Sequence, residues 1–261
     1  MKRELDREKI LLGDPIYTEF DLSVFDEPTI YKLFTSGSLD AFCPTCEKKS
    51  VFKIQDPNPN VYNQEEKKLT TKGVITVKAI CSRSQGSGYL DGCQQKLFSV
   101  FERNGDSCTR IGLSPSKAIL DFGELDESFR ELSSNYRKEL GTAIGLFAHG
   151  VGIGSFVYLR RIFEVLVEEA HAIAKEKNED WDEHAYFKKR MKEKIESLEE
   201  YLPRRLVKSI DLYGVLSKGI HELTEDECKE KFPLVKQAIQ LILKEKFEEK
   251  EYEKVSKSFG N

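Results

Sequence analysis

"FCPTCEKKSVFKI", residues 42–54, decides how the first half of the chain is read. Cys43 and Cys46 stand at CxxC spacing on a tight turn, the geometry that lets two thiolates grip one tetrahedral ion. The run Ser-Val-Phe-Lys-Ile that follows has the β-branched and aromatic content of a strand. A thiol pair at the start of a strand needs a second pair to close a site. Two downstream cysteines offer it: Cys81, at the end of "GVITVKAIC" (73–81), and Cys93, just past the glycine-rich "SRSQGSGYLDG" (82–92). Turns on neighbouring hairpins bring such pairs together, although the separation of Cys81 from Cys93 is wide for a knuckle.

Four thiolates leave no open position for a water nucleophile, so the expected ion is structural, and zinc suits four sulfur ligands. Two other readings stand beside it. The four could be small buried hydrophobes. A thioredoxin-like redox pair is disfavoured because no long amphipathic helix follows Cys46. Cys108 and Cys228 have no partner spacing; Cys108 is the reserve ligand should Cys93 fail.

Outward from this stretch, "KLFSVFER" (96–103) is a further strand, "RNGDS" (103–107) carries an Asn-Gly hairpin signal, and "CTRIGLSPS" (108–116) is the return strand. "DPNPNVYNQEEKK" (56–68) reads as a polar loop. Residues 1–42 mix short apolar clusters with turn residues and promise little regular structure. No stretch of signal-peptide character opens the sequence. "TAIGLFAHGVGIGSFVYL" (142–159) is too broken by glycine for a membrane span, so a cytoplasmic protein is expected.

From about residue 126 the periodicity becomes helical. In "FVYLRRIFEVLVEEAHAIAKE" (156–176), Leu159, Ile162, Phe163, Leu166, Ala170 and Ile173 share a face, with Ser155 the expected N-cap. "AYFKKRMKEKIESLEEYL" (185–202) repeats the theme with Phe187, Met191, Ile195, Leu198 and Leu202, and Pro203 ends it. "RRLVKSIDLYGVLSKG" (204–219) supplies another helix, closed by Gly219. "TEDE" (224–227) is a capping box for a last helix. That helix is expected to bury Leu234, Ala238, Leu241 and Ile242, with a kink or restart at Pro233. The spacing therefore predicts an α+β chain: a small zinc-ribbon-like antiparallel β unit within 1–125, then an α-helical bundle over 126–261.

Composition narrows the function classes. The 261 residues carry 41 Lys and Arg against 45 Asp and Glu, a net charge of −4, which argues against bulk coating of DNA but not against a local basic pocket. "HGVGIGS" (149–155) could cradle a phosphate at a helix start. No strand of a dinucleotide fold precedes it, however, and close helix packing across small residues is the plainer reading.

The helical half resembles the HEPN-like helical domain. The residues that carry the resemblance are Arg160, Arg161 and Glu164 in "LRRIFE", and His221 in "GIHEL" ahead of the capped last helix. The whole chain is similar to bacterial proteins that join a cysteine-rich β unit to such a bundle, with an Ile111-Gly112…Pro115-Ser116 segment between them. The resemblance implies a homodimer through the helices and a role in phage defence or stress response. It also implies either an RNA-, nucleotide- or protein-binding scaffold or a metal-independent ribonuclease. In the latter His221 would act as acid or base and an arginine would stabilise the phosphorane. The family's active motif sets an Arg, four to six intervening residues, and then the His. Here those positions are Gly214, Val215 and Leu216, so the cation would have to come from Arg160, Arg161, Arg204 or Arg205. Arg160, Arg161 and His221 are accordingly the candidate ligand-binding and catalytic residues, and binding is favoured over cleavage. His221 could otherwise be a half-buried histidine bonding across a helix turn, and the arginine pair a surface ion pair with Glu164 or Glu168. A purely structural oligomerisation partner is the remaining alternative.

Overall fold

The computed structural model describes residues 6–55, 62–63, 66, 68–83, 92–123 and 134–259. It is a mixed α+β chain of two compact units: Met1–Leu125 with Ala148–Gly150, and Asp126–Phe147 with Val151–Asn261. No helix among the described residues is long and apolar enough to cross a membrane.

The first unit is built on six antiparallel strands: β1 (Glu19–Asp21), β2 (Ser38–Cys43), β3 (Lys48–Gln55), β6 (Lys72–Cys81), β7 (Lys96–Asn104) and β8 (Ser107–Ser114). Their spatial order is β1-β8-β7-β6-β3-β2. The short β4 (Tyr62–Asn63) and β5 (Lys68–Leu69) pair separately, and most of the expected polar loop around them lies outside the described residues. Alternation sets the core face. Leu39 and Ala41 on β2, Phe52 on β3, Ile75, Val77 and Ala79 on β6, and Leu97 and Phe101 on β7 are all at most 4% exposed. The β7–β8 turn falls one residue later than the Asn-Gly signal suggested. Asn104 is still paired with Ser107, and Gly105 (φ 64°) takes the left-handed first corner, which costs a glycine nothing.

Residues 6–42 are more ordered than expected. A single π-turn, Lys9–Gly13, buries Leu11 and Leu12, and the Leu11 carbonyl accepts from Ser99 Oγ (2.8 Å) and Arg110 Nη1 (3.1 Å). Burial lowers the Arg110 pKa to about 10 against the opposing pull of Asp14. Helix α1 (Glu27–Thr35) is capped by the Asp26 carboxylate, which accepts the Thr29 N–H at 2.8 Å, and it carries a proline in its first turn. It seats Ile30, Leu33 and Phe34 in the core, Phe34 edge-on to Phe101 at 5.1 Å. These elements are too short for periodicity to reveal. α2 (Lys117–Gly123) adds Leu120 to the same core.

The second unit begins with α3 (Ser134–Ala148) and the long α4 (Gly152–Lys177), which packs on α8 (Asp211–His221) and α9 (Glu225–Ser258). Leu159, Ile162, Phe163, Leu166 and Ala170 are buried as their spacing predicts, but Ile173 is 38% exposed. Ser155 is no N-cap. It lies inside α4, fully buried, and its hydroxyl donates to the Gly152 carbonyl (2.6 Å), while Val151 takes the cap position.

The stretch expected to be one helix over 185–202 is broken. α5 (Glu183–Lys188) and α6 (Met191–Ser197) meet at Lys189 and Arg190, both extended, and a 3-10 turn (Glu199–Tyr201) follows before Pro203. Ile195, Leu198 and Leu202 are buried, but Phe187 is 58% exposed. Its neighbour Tyr186 is buried instead, stacked on His171 at 3.9 Å, and Trp181 Nε1 donates to His171 Nε2 at 3.2 Å.

"RRLVKSIDLYGVLSKG" forms two helices, α7 (Arg204–Lys208) and α8. Gly219 does not close α8 but sits inside it, where a Cβ would fall 2.1 Å from Phe156 Cδ1. Its smallness serves helix contact. The Thr224–Glu227 capping box starts α9 as read from the sequence. α9 continues through Pro233 with no restart, and its buried face is Cys228, Phe232, Val235, Ile239, Ile242 and Leu243. Ile242 is buried as expected, but Leu234 (73%) and Leu241 (45%) are exposed, and Val235 is buried in place of Leu234.

Candidate metal centre

Backbone register assembles the four cysteines. Cys43 ends β2 opposite Lys48, and the intervening turn returns through Glu47, whose φ is 53°. This curls the chain so that the Cys46 N–H donates to Cys43 Sγ at 3.4 Å. The β6–β7 register continues past both strands: the Cys81 N–H reaches the Gln95 carbonyl (3.0 Å), and the Cys93 N–H reaches the Arg83 carbonyl (2.9 Å). The long stretch between Cys81 and Cys93 is thus closed by the ladder itself. A wide sequence gap becomes a short spatial one.

Cys43 and Cys93 Sγ stand 3.5 Å apart, Cys46 and Cys81 Sγ 3.9 Å, and all four sulfurs lie within 4.8 Å of one another. Tetrahedral ligation at a Zn–S length of about 2.3 Å requires sulfur–sulfur edges of about 3.8 Å, and these separations bracket that value. No disulfide joins them; each is a free thiol. The donor set, all sulfur, mostly buried and closed on itself, fits a metal ion. Cys108 is not in the group. It pairs with Arg103 on β7, seven residues along from Lys96 and so about 23 Å from the cysteine end. Cys228 is an ordinary buried thiol whose Sγ donates to the Gly219 carbonyl at 3.3 Å.

Burial pushes the Cys43 thiol up to about 12 and raises Cys93 as well, so burial alone favours the protonated form of these two. A bound divalent cation reverses that preference by holding the thiolates. Polar groups around the cluster fix its walls. Thr45 Oγ1 donates to Gln95 Oε1 (2.9 Å), and Arg83 donates to Ser50 Oγ (3.2 Å) and to the Lys49 carbonyl (2.9 Å). Lys48 and Arg83 are the backbone register partners of Cys43 and Cys93, a neighbourhood that sequence reading missed because only the register assembles it.

The helical candidates sit in three separate environments. Arg160 Nε is 2.8 Å from Glu164 Oε1, and its Nη2 donates to Tyr213 Oη (2.9 Å), which in turn donates to the same carboxylate (3.1 Å). Arg161 pairs with the buried Glu139 at 3.0 Å and lies over the Tyr158 ring. His221 is exposed, not half-buried, in the last turn of α8. It is eight residues beyond Tyr213, about 12 Å along the helix. The structure does not bring His221 into the Arg160 network. The glycine stretch holds an anion of its own: the Glu225 carboxylate accepts the N–H groups of Gly152 and Ile153 (3.1 Å for the latter) at the start of α4. A Cβ on Gly152 would lie 2.6 Å from the Glu225 carbonyl oxygen, so that glycine permits close approach of α9.

Compared with known protein families, curated proteins and solved structures, the chain matches none.

Proposed function

We propose that this protein is a cytoplasmic, RNA-binding scaffold in which a structural zinc ion rigidifies a zinc-ribbon-like β unit joined to a HEPN-like helical bundle. The observation that carries the zinc assignment is the closed cluster of Cys43, Cys46, Cys81 and Cys93, whose sulfurs all lie within 4.8 Å. Zinc has no redox chemistry of its own and accepts four thiolates with no vacant position, so its work here is to tie the β2–β3 turn to the ends of β6 and β7. The bundle is HEPN-like in the order of its parts: a long helix bearing Arg160 and Arg161, then His221 before a capped last helix.

Binding is favoured over cleavage because the carboxylates of Glu164 and Glu139 engage the two arginines, and His221 takes part in neither pair. The test is a paired measurement on purified wild type: metal content by mass spectrometry, and RNA binding with RNA integrity followed in the same samples. One zinc per chain with bound, intact RNA supports the reading. Cleavage lost in both His221→Ala and Arg160→Ala would replace it with a ribonuclease.

In this reading two copies join along α9. Leu234, Leu241, Tyr252 and Val255, with Phe259 at the C-cap, are 45–84% exposed and fall on one face at spacings of 7, 11, 3 and 4 residues. Light scattering should give a dimer for wild type and a monomer for Leu241→Glu/Tyr252→Glu; a wild-type monomer would remove this element.

A further inference from the structure

The break between α5 and α6 shows a surface that the sequence pattern concealed. Phe187, spaced as a core residue, is 58% exposed, because Lys189 (ψ 144°) and Arg190 (ψ 160°) are extended and end the helix beside it. The ring is braced from below. Tyr186 and His171 each lie 5.7 Å from it, nearly perpendicular, and these two are themselves stacked at 3.9 Å. Lys194 Nζ covers both rings, 5.0 Å from Tyr186 and 5.7 Å from Phe187.

Along the chain from this aromatic the charge is one-sided. From Phe187 to Lys194 the chain has five cations, Lys188, Lys189, Arg190, Lys192 and Lys194, and one carboxylate, Glu193. That carboxylate is engaged, accepting the Arg190 N–H at 2.7 Å. Among the described residues Lys188, Lys189, Arg190 and Lys192 form no ion pair. Such a concentration of positive charge, in a chain of net charge −4, is complementary to a polyanion. A rigid, exposed ring beside it adds a stacking platform for a base.

We propose that the α5–α6 turn is a single-stranded RNA site, with a base stacked on Phe187 and phosphates held by Lys188, Lys189 and Arg190. The adjoining groove, lined by Ala185, Lys188, Lys189, Glu193, Glu196 and Ser197, favours RNA over DNA. The Glu196 carboxylate repels phosphate but accepts a ribose 2′-hydroxyl, which DNA lacks. The inference rests on the RNA-binding reading above and gives it a location.

The test is fluorescence-anisotropy titration of the zinc-loaded full chain with a short unstructured RNA, its DNA counterpart and poly-glutamate, over a salt series. Phe187→Ala should weaken RNA binding about tenfold, and Phe187→Trp should restore it. Lys188→Ala/Lys189→Ala/Arg190→Ala should reduce the magnitude of the slope of log K against log salt by about two, as expected for three lost phosphate contacts at roughly 0.7 each. All three positions are exposed or half-exposed, and unchanged circular dichroism verifies the fold. RNA binding that neither variant weakens overturns this site while leaving the RNA reading intact. No RNA binding by wild type overturns both. Equal affinity for DNA removes the argument from Glu196, and tighter binding of poly-glutamate would make the surface an acidic-protein dock instead.

Discussion

The two units solve the same problem, close approach of chain segments, by different means. In the β unit four side chains converge until their sulfurs are within 4.8 Å, a spacing that a cation can weld. In the helical unit close approach comes from missing side chains: Gly219 against Phe156, and Gly152 against the start of α9. The first contact strengthens when a ligand is added, and the second tolerates no addition. A unit of the first kind can respond to metal supply, whereas one of the second kind is fixed by steric fit alone.

The largest test of that contrast is Cys43→Ala/Cys46→Ala. Metal binding contributes about 10–16 kcal/mol where it alone drives folding, and several kcal/mol are expected in a unit that also has an apolar core. The variant should purify without zinc and lose amide protection in β2, β3, β6 and β7, while α4 and α9 keep theirs. Hydrogen exchange resolved by segment reads both. Loss of protection throughout the chain would break the contrast.

Gly219→Ala is the mirror experiment. With Phe156 fully buried the ring has no room to retreat, so the added methyl should cost about 1–3 kcal/mol of overpacking, measured by urea unfolding of the helical signal. Zinc content should not change.

Smaller effects sharpen the picture of the helical unit. Thr224→Ala removes the hydroxyl that accepts the Glu227 N–H and should cost about 1 kcal/mol, read from the same unfolding curve. The Thr224 backbone and hydroxyl donors also hold the Glu227 carboxyl below its ordinary 4.5. A lowered carboxyl pKa stabilises above the unfolded value and is lost as pH falls through the folded one. The cap should therefore weaken below about pH 4.5, and an acid titration of Glu227→Gln should be flatter there than that of wild type. The smallest effect is optical. Trp181, the sole tryptophan, donates to His171 Nε2. His171→Phe removes that acceptor and should shift Trp181 emission while ellipticity holds.

Much of this architecture is written in local pattern. Strands β3, β6, β7 and β8 follow from alternation, α4 from its 3–4 spacing, and the start of α9 from Thr224 and Glu227, because each depends on neighbours within a few residues. The readings that failed depend on distant partners. Ser155 and Gly219 carry end-of-helix signals yet lie in helix interiors, since other helices press on them. The buried face of α9 was misjudged at Leu234 because both Leu234 and Val235 are apolar and only the packing partner chooses between them.

The candidate site divides the same way. The sequence by itself determined the ligand chemistry: CxxC spacing fixes two thiols on one turn, and two further cysteines in the same β segment are the natural closure. Only the tertiary structure decided which cysteine completes the set, since Cys93 and Cys108 are equivalent as residues and differ only in which end of β7 they reach. It likewise decided that Arg160 and Arg161 each engage a carboxylate and that Phe187 faces solvent. Spacing along a chain constrains bonds over a few residues, whereas register and helix packing sum over contacts that the linear order does not contain.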